Sequence, residues 1–269
     1  MLRDGKSRPC VIKGEKNMQC ILLAAGYATR LYPLTENMPK ALLELGDKTI
    51  LDMVVEKIDE VPEVENIYIV TNDRFYGNFC DWAKTYSGKK SVKVLNDYTN
   101  SNDNRLGAIG DMKYVIDNEK IDDEIIVMAS DNIFGFDLTD FTEMYKTKKA
   151  DMICAHTIIN KNELHSMGVV ELDKDGRVTS FEEKPKQPKS DLGVPPFYIY
   201  RRETLPLIDK YLKEGNNPDA PGHFIPWLIT KTDVYAHVFD ATRIDIGTVE
   251  SYNEACALLA MGKLFEKRI

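Results

Sequence analysis

The sequence lacks long apolar runs, paired cysteines and an excess of positive charge. No apolar run approaches the roughly 20 residues that span a bilayer, so we expect no membrane partner. The five cysteines are scattered and none stands in Cys-x-x-Cys spacing, which is typical of reduced thiols in the cytoplasm rather than disulfides or zinc ligands. A net charge of −8 argues against nucleic acid as the main partner.

Two further patterns are missing. The four histidines show neither metal-ligand spacing nor a Ser-His-Asp order, which argues against histidine chemistry. Residues 1–17 have no apolar periodicity and no apolar centre of a signal peptide. We predict that they form a poorly ordered extension and that residues 18–269 form a single domain.

Apolar runs alternate with helical patterns through the first half of the chain. Strands are predicted at "CILLA", "NIYIVT", "VKVLND" and "EIIVMA", which favours a mostly parallel α/β sheet with helices on both faces. Between residues 151 and 200 strands follow one another directly, with a hairpin turn signal at "DKDG". The sequence therefore predicts an α/β three-layer sandwich with a mixed central sheet.

The loop after the first predicted strand reads "LAAGYATRLYPLTENMPKALLEL". Ligands bind at the carboxyl ends of strands in open α/β sheets, and small residues let the backbone approach a bound group. Arg30 and Lys40 add positive charge suited to phosphate oxygens. Ala28 stands where a second glycine would ease the turn, so we expect it to adopt a negative φ. Taken alone, this loop is more typical of a tight turn with solvated basic residues.

Acidic residues follow two other predicted strands. Asp131 comes after "EIIVMAS" and Asp245 after "ATRI", and both carboxylates are hard oxygen ligands suited to Mg²⁺. Each residue by itself is more typical of a turn or a helix cap. Glu183 and Lys184 end a predicted hairpin strand, where surface charge is the more common explanation.

Four ordered blocks change this balance. The loop, "VMASDNIF", "GVVELDKDGRVTSFEEKP" and "IDIGTVESYNEA" together resemble the signature of nucleotidyltransferases that activate sugar 1-phosphates, and the resemblance extends over residues 18–262. It implies a Rossmann-like fold of the GT-A type. It also implies that a nucleoside monophosphate passes from a nucleoside triphosphate to a sugar 1-phosphate while pyrophosphate leaves.

The resemblance also implies a role for each matching residue. Arg30, Lys40 and Lys184 would be catalytic, and Asp131 and Asp245 would hold Mg²⁺. The remaining positions would bind the nucleotide (Leu23, Ala24, Ala25, Gly26, Asn102 and Gly107, with Asn104 as an alternative to Asn102) and the sugar phosphate (Gly168, Glu183, Lys184 and Val194). Four other acidic residues are predicted to be solvated or capping groups: Asp111, Asp122, Asp123 and Asp137.

The substrates stay open at this point. Pro195 and Pro196 stand where the family usually has a small or hydroxyl residue followed by glycine, and the base could be thymine, uracil or cytosine. One alternative is a cytidylyltransferase for a small phosphorylated alcohol such as phosphocholine, although that amine would want an aromatic cage. A second is a non-catalytic nucleotide-sugar sensor, which should have lost a metal Asp or the loop Arg. We also expect a homo-oligomer.

Overall fold

A mixed β-sheet runs through residues 18–265, the part of the chain that the computed structural model describes. The extension predicted for residues 1–17 lies outside this part. In chain order the strands are β1 (Met18–Leu23), β2 (Glu44–Leu45), β3 (Lys48–Thr49), β4 (Val64–Thr71), β5 (Ser91–Asn96), β6 (Glu124–Ala129), β7 (Asn132–Phe134), β8 (Asp151–Thr157), β9 (Gly168–Leu172), β10 (Val178–Glu183), β11 (Leu192–Val194), β12 (Phe197–Tyr200), β13 (Val234–Val238) and β14 (Arg243–Asp245).

The main sheet has the order β10-β9-β11-β8-β12-β6-β1-β4-β5, and β13 pairs with β8. Strands β6, β1, β4 and β5 are parallel to one another, so their carboxyl ends meet at one edge. Leu23, at the end of β1, pairs with Val70 of β4 and Ala129 of β6. The loops that follow these strands therefore share the edge at which open α/β sheets bind ligands.

The second half of the chain adds antiparallel strands, as predicted. Strand β12 runs antiparallel to both β6 and β8, and β9 and β10 form a hairpin. The Gly176 N–H donates to the Asp173 carbonyl at 3.1 Å, and Gly176 has a φ of +80°, which a residue without a Cβ adopts easily. The predicted turn at "DKDG" is confirmed.

Helices cover both faces of the sheet. They are α1 (Ile50–Asp59), α2 (Tyr76–Thr85), α3 (Ala108–Glu119), α4 (Leu138–Lys148), α5 (Leu205–Lys213), α6 (Phe224–Leu228) and α7 (Val249–Ala260). Side chains alternate between the faces of a strand, so Cys20 and Leu22 pack with α1, α2 and α4, and Ile21 packs with α3, α5 and α6. The three-layer sandwich with a mixed sheet is confirmed.

The N-terminus of α1 is fixed by a capping box. Asp52 N–H donates to Thr49 Oγ1 at 3.1 Å, and Thr49 N–H donates to Asp52 Oδ2 at 2.8 Å. Trp82 of α2 donates its indole N–H to the other carboxylate oxygen of Asp52 at 2.8 Å, which joins the two helices. Both helices therefore present fixed surfaces to the sheet beside the first loop.

A smaller apolar cluster supports the loop from the outside. Leu31 and Leu43 of the loop pack there with Ile133 of β7, Ile244 of β14 and Ala255 of α7. The cluster joins segments from both ends of the chain around the edge where the parallel strands end. Within residues 18–265, none of the helices combines the length and the apolar composition needed to span a membrane.

Candidate active site

Polar side chains on neighbouring strands fix the start of the loop after β1. Each donates a hydrogen bond to one carbonyl oxygen of the loop, so the peptide units from 23 to 25 cannot rotate without breaking a hydrogen bond. The contacts are Ser130 Oγ to Leu23 O at 2.9 Å, Thr71 Oγ1 to Ala24 O at 3.1 Å and Asn72 Nδ2 to Ala25 O at 2.9 Å. These three residues were not predicted from the sequence, although the signal was present as polar residues at the ends of apolar strands.

The backbone N–H groups of the same loop remain available. Those of Ala25, Gly26 and Tyr27 donate no hydrogen bond to any other residue within 18–265. Gly26 is exposed, and a Cβ placed on it would have no atom within 4 Å. Unpaired N–H groups around open space favour an anion.

An open cleft of about 560 Å³ lies beside this loop. Three groups of lining residues come from the sequence predictions: the loop backbone at Leu23, Ala24 and Gly26, the cations Arg30 and Lys40, and the acid Asp131. Ala25 belongs to the same loop but is not among the lining residues. The Arg30 side chain is exposed, whereas Lys40 is half-buried.

The expected φ of Ala28 is wrong. Ala28 has φ 47° and ψ 40°, the left-handed conformation, which costs an L-residue about 1–2 kcal/mol. Its carbonyl oxygen accepts from Leu31 N–H at 2.9 Å and from Thr35 Oγ1 at 2.8 Å. These bonds fix the turn that leads to Arg30, and they offset the strain that a glycine would have avoided.

Lys40 joins the two predicted metal ligands. Its Nζ lies 2.8 Å from Asp131 Oδ2 and 3.3 Å from Asp245 Oδ1, and its side chain is 12% exposed. Burial alone would lower the pKa of Lys40, but the two carboxylates raise it above its ordinary value. The ammonium group therefore stays charged between them.

The β7–β14 pair brings these acids together across the chain. Asn132, which follows Asp131, pairs with Asp245 in antiparallel register. Asn132 Nδ2 donates to Asp131 Oδ1 at 2.8 Å, and Arg243 Nε donates to Asn132 Oδ1 at 2.7 Å. An Arg243 Nη atom also lies 3.4 Å from Asp245. Neither Asn132 nor Arg243 was singled out from the sequence, because only this long-range pairing connects them to the site.

Asp131 is held in its charged form. Burial would raise the pKa of its carboxyl group, but the Lys40 ammonium, the Asn132 amide and the Arg243 guanidinium lower it below its ordinary value. Both acids contact one ammonium nitrogen, so their oxygens are close enough to share a single cation. Within residues 18–265, no group of three or more His, Cys, Asp or Glu side chains could hold a metal ion. A metal here would draw its other ligands from substrate and water, as Mg²⁺ commonly does.

A second open cleft, of about 500 Å³, is lined in part by β14 of this strand pair. Its wall contains the predicted sugar-site residues Gly168, Glu183 and Val194, together with Asp245 and Arg243. Asp245 thus faces this cleft while Asp131 faces the first, and the two clefts meet at the carboxylates that Lys40 joins.

Close packing explains two glycines in the second cleft. A Cβ on Gly168 would overlap the Phe181 ring, and one on Gly222 would overlap the Glu183 carboxylate. Burial raises the pKa of Glu183 above its ordinary value, although the nearby positive charge of Lys184 acts to lower it. Lys184 itself is exposed, with a φ of +49°, and it is not among the residues that line the cleft.

The residues predicted to read the base lie elsewhere. Asn102 is exposed, and Asn104 Oδ1 accepts from the backbone of its own loop, at 3.2 Å from Asn100 N and 3.0 Å from Ser101 N. A Cβ on Gly107 would lie 2.6 Å from the Pro218 carbonyl oxygen, so this glycine allows a close approach of the backbone at Pro218. Base recognition by these residues stays a prediction.

Asp111 is neither solvated nor a cap, which corrects the prediction made for it. It is buried in the first turn of α3, and its carboxyl group contacts that of Asp97 at the end of β5. Burial and the Asp97 charge raise the pKa of Asp111 to about 8. The other three acids are on the surface or in hydrogen bonds there: Asp122 binds Arg202, Asp123 accepts from Gln19, and Asp137 caps α4.

The family model described as "Nucleotidyl transferase" matches residues 19–261. A glucose-1-phosphate adenylyltransferase of Bacillus subtilis is 30% identical over 275 aligned positions, covering 93% of this chain and 70% of that protein. Glucose-1-phosphate adenylyltransferases of Fervidobacterium nodosum and Trichlorobacter lovleyi are 27% and 28% identical and cover 89% of this chain. The chain spans only 60% and 65% of the length of these two relatives.

Solved structures of similar fold include a UDP-glucose pyrophosphorylase in complex with UDP-glucose. It has a TM-score of 0.77 at 19% identity and covers 91% of this chain and 99% of that one. A putative glucose-1-phosphate thymidylyltransferase of Bacillus anthracis has a TM-score of 0.72 at 22% identity, covering 90% of this chain and 94% of that one. The family match over nearly the whole described chain agrees with this fold. The chain belongs to the nucleotidyl transferase family.

Proposed function

We propose that this chain transfers a nucleoside monophosphate from a nucleoside triphosphate to a sugar 1-phosphate and releases pyrophosphate. The observation that carries the proposal is the meeting of two open clefts at Asp131 and Asp245. One cleft has a phosphate-type loop with unpaired N–H groups, and the other has the residues that match a sugar site. A transfer between two substrates needs this arrangement, because the reacting groups must meet at one point.

The reaction would proceed by in-line displacement at the α-phosphorus. An oxygen of the acceptor phosphate forms the new P–O bond, and the bond from the α-phosphorus to the bridging oxygen of pyrophosphate breaks. The departing pyrophosphate takes the electron pair. Since the attacking phosphate is already anionic, the site needs no strong general base; it needs alignment and neutralisation of negative charge.

The chain offers this neutralisation from three sides. The loop N–H groups and Arg30 would hold the triphosphate and the leaving pyrophosphate, Lys40 the α-phosphate, and Lys184 the acceptor phosphate. Asp131 and Asp245 would hold Mg²⁺, which supplies charge screening and orientation of the phosphates when it is bound. Glu183 would accept hydrogen bonds from sugar hydroxyls.

Two other functions have less support. A cytidylyltransferase for phosphocholine would need several aromatic side chains around the quaternary amine. In the second cleft, which we call the acceptor cleft, Tyr198 is the one aromatic residue among the described residues of the lining. A non-catalytic sensor is disfavoured because Arg30, Lys40, Asp131 and Asp245 are all in place. We propose a cytoplasmic location from the dispersed cysteines, and we also propose a homo-oligomer.

The test is a pyrophosphate-release screen with Mg²⁺. ATP, UTP, dTTP, CTP and GTP are each paired with glucose 1-phosphate and with phosphocholine, and ATP comes first because the curated relatives are named adenylyltransferases. We expect release with glucose 1-phosphate and at least one triphosphate, together with a nucleoside diphosphate glucose product. Release with CTP and phosphocholine would favour the alternative enzyme, and no release with any pair, Mn²⁺ included, would contradict the proposal.

A further inference from the structure

Arg243 lies in the wall of the acceptor cleft. It is two residues before Asp245 on β14, so both side chains project from the same face of the strand. The Arg243 side chain is 7% exposed, whereas that of Asp245 is 53% exposed. A buried guanidinium group in the wall of an open cleft is costly unless its hydrogen-bonding capacity is used.

The guanidinium group is anchored on one side only. Nε donates to the neutral Asn132 amide at 2.7 Å, which is a good hydrogen bond. The contact with the exposed Asp245 is longer, at 3.4 Å. The group can therefore give up Asp245 and still remain anchored by Asn132.

The positive charge of Arg243 reaches into its surroundings. It acts together with burial to lower the pKa of His156 to about 4, and it contributes to the lowered pKa of Asp131. Among the described residues that line the acceptor cleft, Arg243 is the one cation, and Glu183 and Asp245 are the anions. Lys184, assigned from the sequence to the acceptor phosphate, is not in this wall.

The charges around the two aspartates cancel when no substrate is bound. Lys40 and Arg243 balance Asp131 and Asp245 through the contacts described above. An anion that enters the second cleft must find its own countercharge or take one from this set. The planar guanidinium fork of arginine fits phosphate oxygens in a bidentate manner.

We propose that Arg243 binds the phosphate group of the acceptor, exchanging its long contact with Asp245 for a bidentate contact with that phosphate. This assignment rests on the proposed function and identifies the acceptor as an anionic one. Arg243 is then a substrate-binding residue that determines specificity for phosphorylated over neutral sugars. It takes no part in bond breaking.

Equilibrium binding tests this without turnover. Glucose 1-phosphate, glucose and inorganic phosphate are titrated by calorimetry into the full chain and into Arg243→Met and Arg243→Lys, in EDTA so that no divalent ion contributes. We expect Arg243→Met to bind glucose 1-phosphate at least about tenfold more weakly than wild type, as for loss of one charge-assisted bidentate contact. Arg243→Lys should fall between them, and glucose should bind equally to all three proteins.

The matched control is Arg177→Met, which removes the same charge from an exposed arginine paired with Asp233 at 2.8 Å. It should bind glucose 1-phosphate as wild type does. Equal loss in Arg177→Met, equal loss for glucose, or Arg243→Met within twofold of wild type would each overturn the inference. So would a wild-type protein that binds neither glucose 1-phosphate nor inorganic phosphate.

The two proposals fail differently. Binding of glucose 1-phosphate that depends on Arg243, without pyrophosphate release from any triphosphate, would sustain Arg243 and contradict the transfer reaction. If transfer occurs, Arg243→Met should raise the KM for glucose 1-phosphate and change the KM for the triphosphate less than about threefold. Arg243→Lys should partly restore the KM for glucose 1-phosphate. If Arg243→Met does not fold, Arg243→Lys is compared with the wild type instead.

Discussion

Two carboxylate pairs lie at the same edge of the sheet and differ in what neutralises them. Asp131 and Asp245 share the Lys40 ammonium and have Arg243 close by. Asp97 and Asp111 are both buried and contact each other, and none of the ion pairs within residues 18–265 includes either. The pKa of Asp131 is lowered, whereas the pKa values of Asp97 and Asp111 are raised.

The difference shows how one residue type serves opposite purposes. Asp97 Oδ2 and Asp111 Oδ1 are buried atoms without a donor among the described residues, so one proton shared by the two carboxyl groups would satisfy both. A pair that keeps a proton is a structural contact between β5 and α3. A pair that is neutralised by a side-chain ammonium group can exchange that group for another cation.

The largest effect is expected from Asp131→Asn, which breaks the pair that holds the cation. We expect nucleotidyl transfer to fall by about 1,000-fold, because a neutral amide neither holds Lys40 nor ligates a divalent ion as a carboxylate does. Pyrophosphate release measures the loss, with a thermal melt to verify folding. Asp137→Asn, which changes an exposed helix cap on α4, is the control, and a folded Asp131→Asn enzyme with near wild-type turnover would refute the assignment.

Lys40→Met tests whether the ammonium ion occupies the place of a metal. The two carboxylates would lose their shared cation, so Mn²⁺ should bind the nucleotide-free protein about tenfold more tightly. Turnover should nevertheless fall by about 100-fold, because a positive charge near the transferred phosphate is gone. Mn²⁺ titration followed by electron paramagnetic resonance gives the affinity, with Lys48→Met, from a surface ion pair with Glu56, as the control. Weaker Mn²⁺ binding would show that Lys40 supports the site instead of competing for it.

Asp111→Asn tests the pair that holds a proton. The pKa of Asp111 is about 8 in the folded protein and about 3.9 in an unfolded chain, so the unfolded state binds fewer protons between these values. The free energy of unfolding of the wild type therefore falls as the pH rises from about 4 to 8. Asparagine has no such proton to lose.

Relative to wild type, Asp111→Asn should become more stable by about 3.5 kcal/mol between pH 5 and pH 8. Urea titrations at the two values measure this, with Asp103→Asn in the neighbouring loop as the control. A stability difference that stays constant with pH would mean that the pair does not hold the proton.

Thr99→Val sharpens the same comparison with a smaller effect. Thr99 donates its N–H and its hydroxyl to Asp97 Oδ1, both at 2.7 Å. If Asp97 carries the charge of the pair, loss of the hydroxyl should cost about 1.5 kcal/mol at pH 7, as for a hydrogen bond to a charged group. Thr85→Val, which loses a bond to the neutral Trp82 carbonyl, should cost less. Equal costs in urea unfolding would assign the charge to Asp111 instead.

The sequence predicted the parts of the site that depend on local order. The alternation of apolar runs was enough to place the loop, Asp131 and Asp245 near strand ends, and the resemblance assigned them and Lys40 to one site. The direct contacts between Lys40 and the two carboxylates were not predicted. The same reasoning failed at Ala28, whose strained φ is held by a hydrogen bond from Thr35, seven residues away. A propensity argument weighs one residue at a time and does not include such compensation.

The remaining residues of the site could not be predicted because their contacts depend on long-range pairing. Arg243 and Asn132 are 111 residues apart and meet only because β14 pairs with β7. Asp111 has the spacing of an ordinary acidic residue in the first turn of a helix, and it is buried because the end of β5 lies against that turn. In both places the deciding contact joins segments that no local pattern connects.

The two-stranded pairing of β7 with β14 also fixes the distance between the two substrate clefts. Asp245 lies directly opposite Asn132, so the register of these few residues sets the distance between the Asp131 side of the first cleft and the Asp245 side of the second. A slip by one residue would turn each side chain to the opposite face of its strand and separate the two compartments chemically. We expect substitutions elsewhere in the wall of the acceptor cleft to leave this register unchanged. Descendants of such a chain could therefore exchange one acceptor for another while the distance between donor and acceptor stays the same.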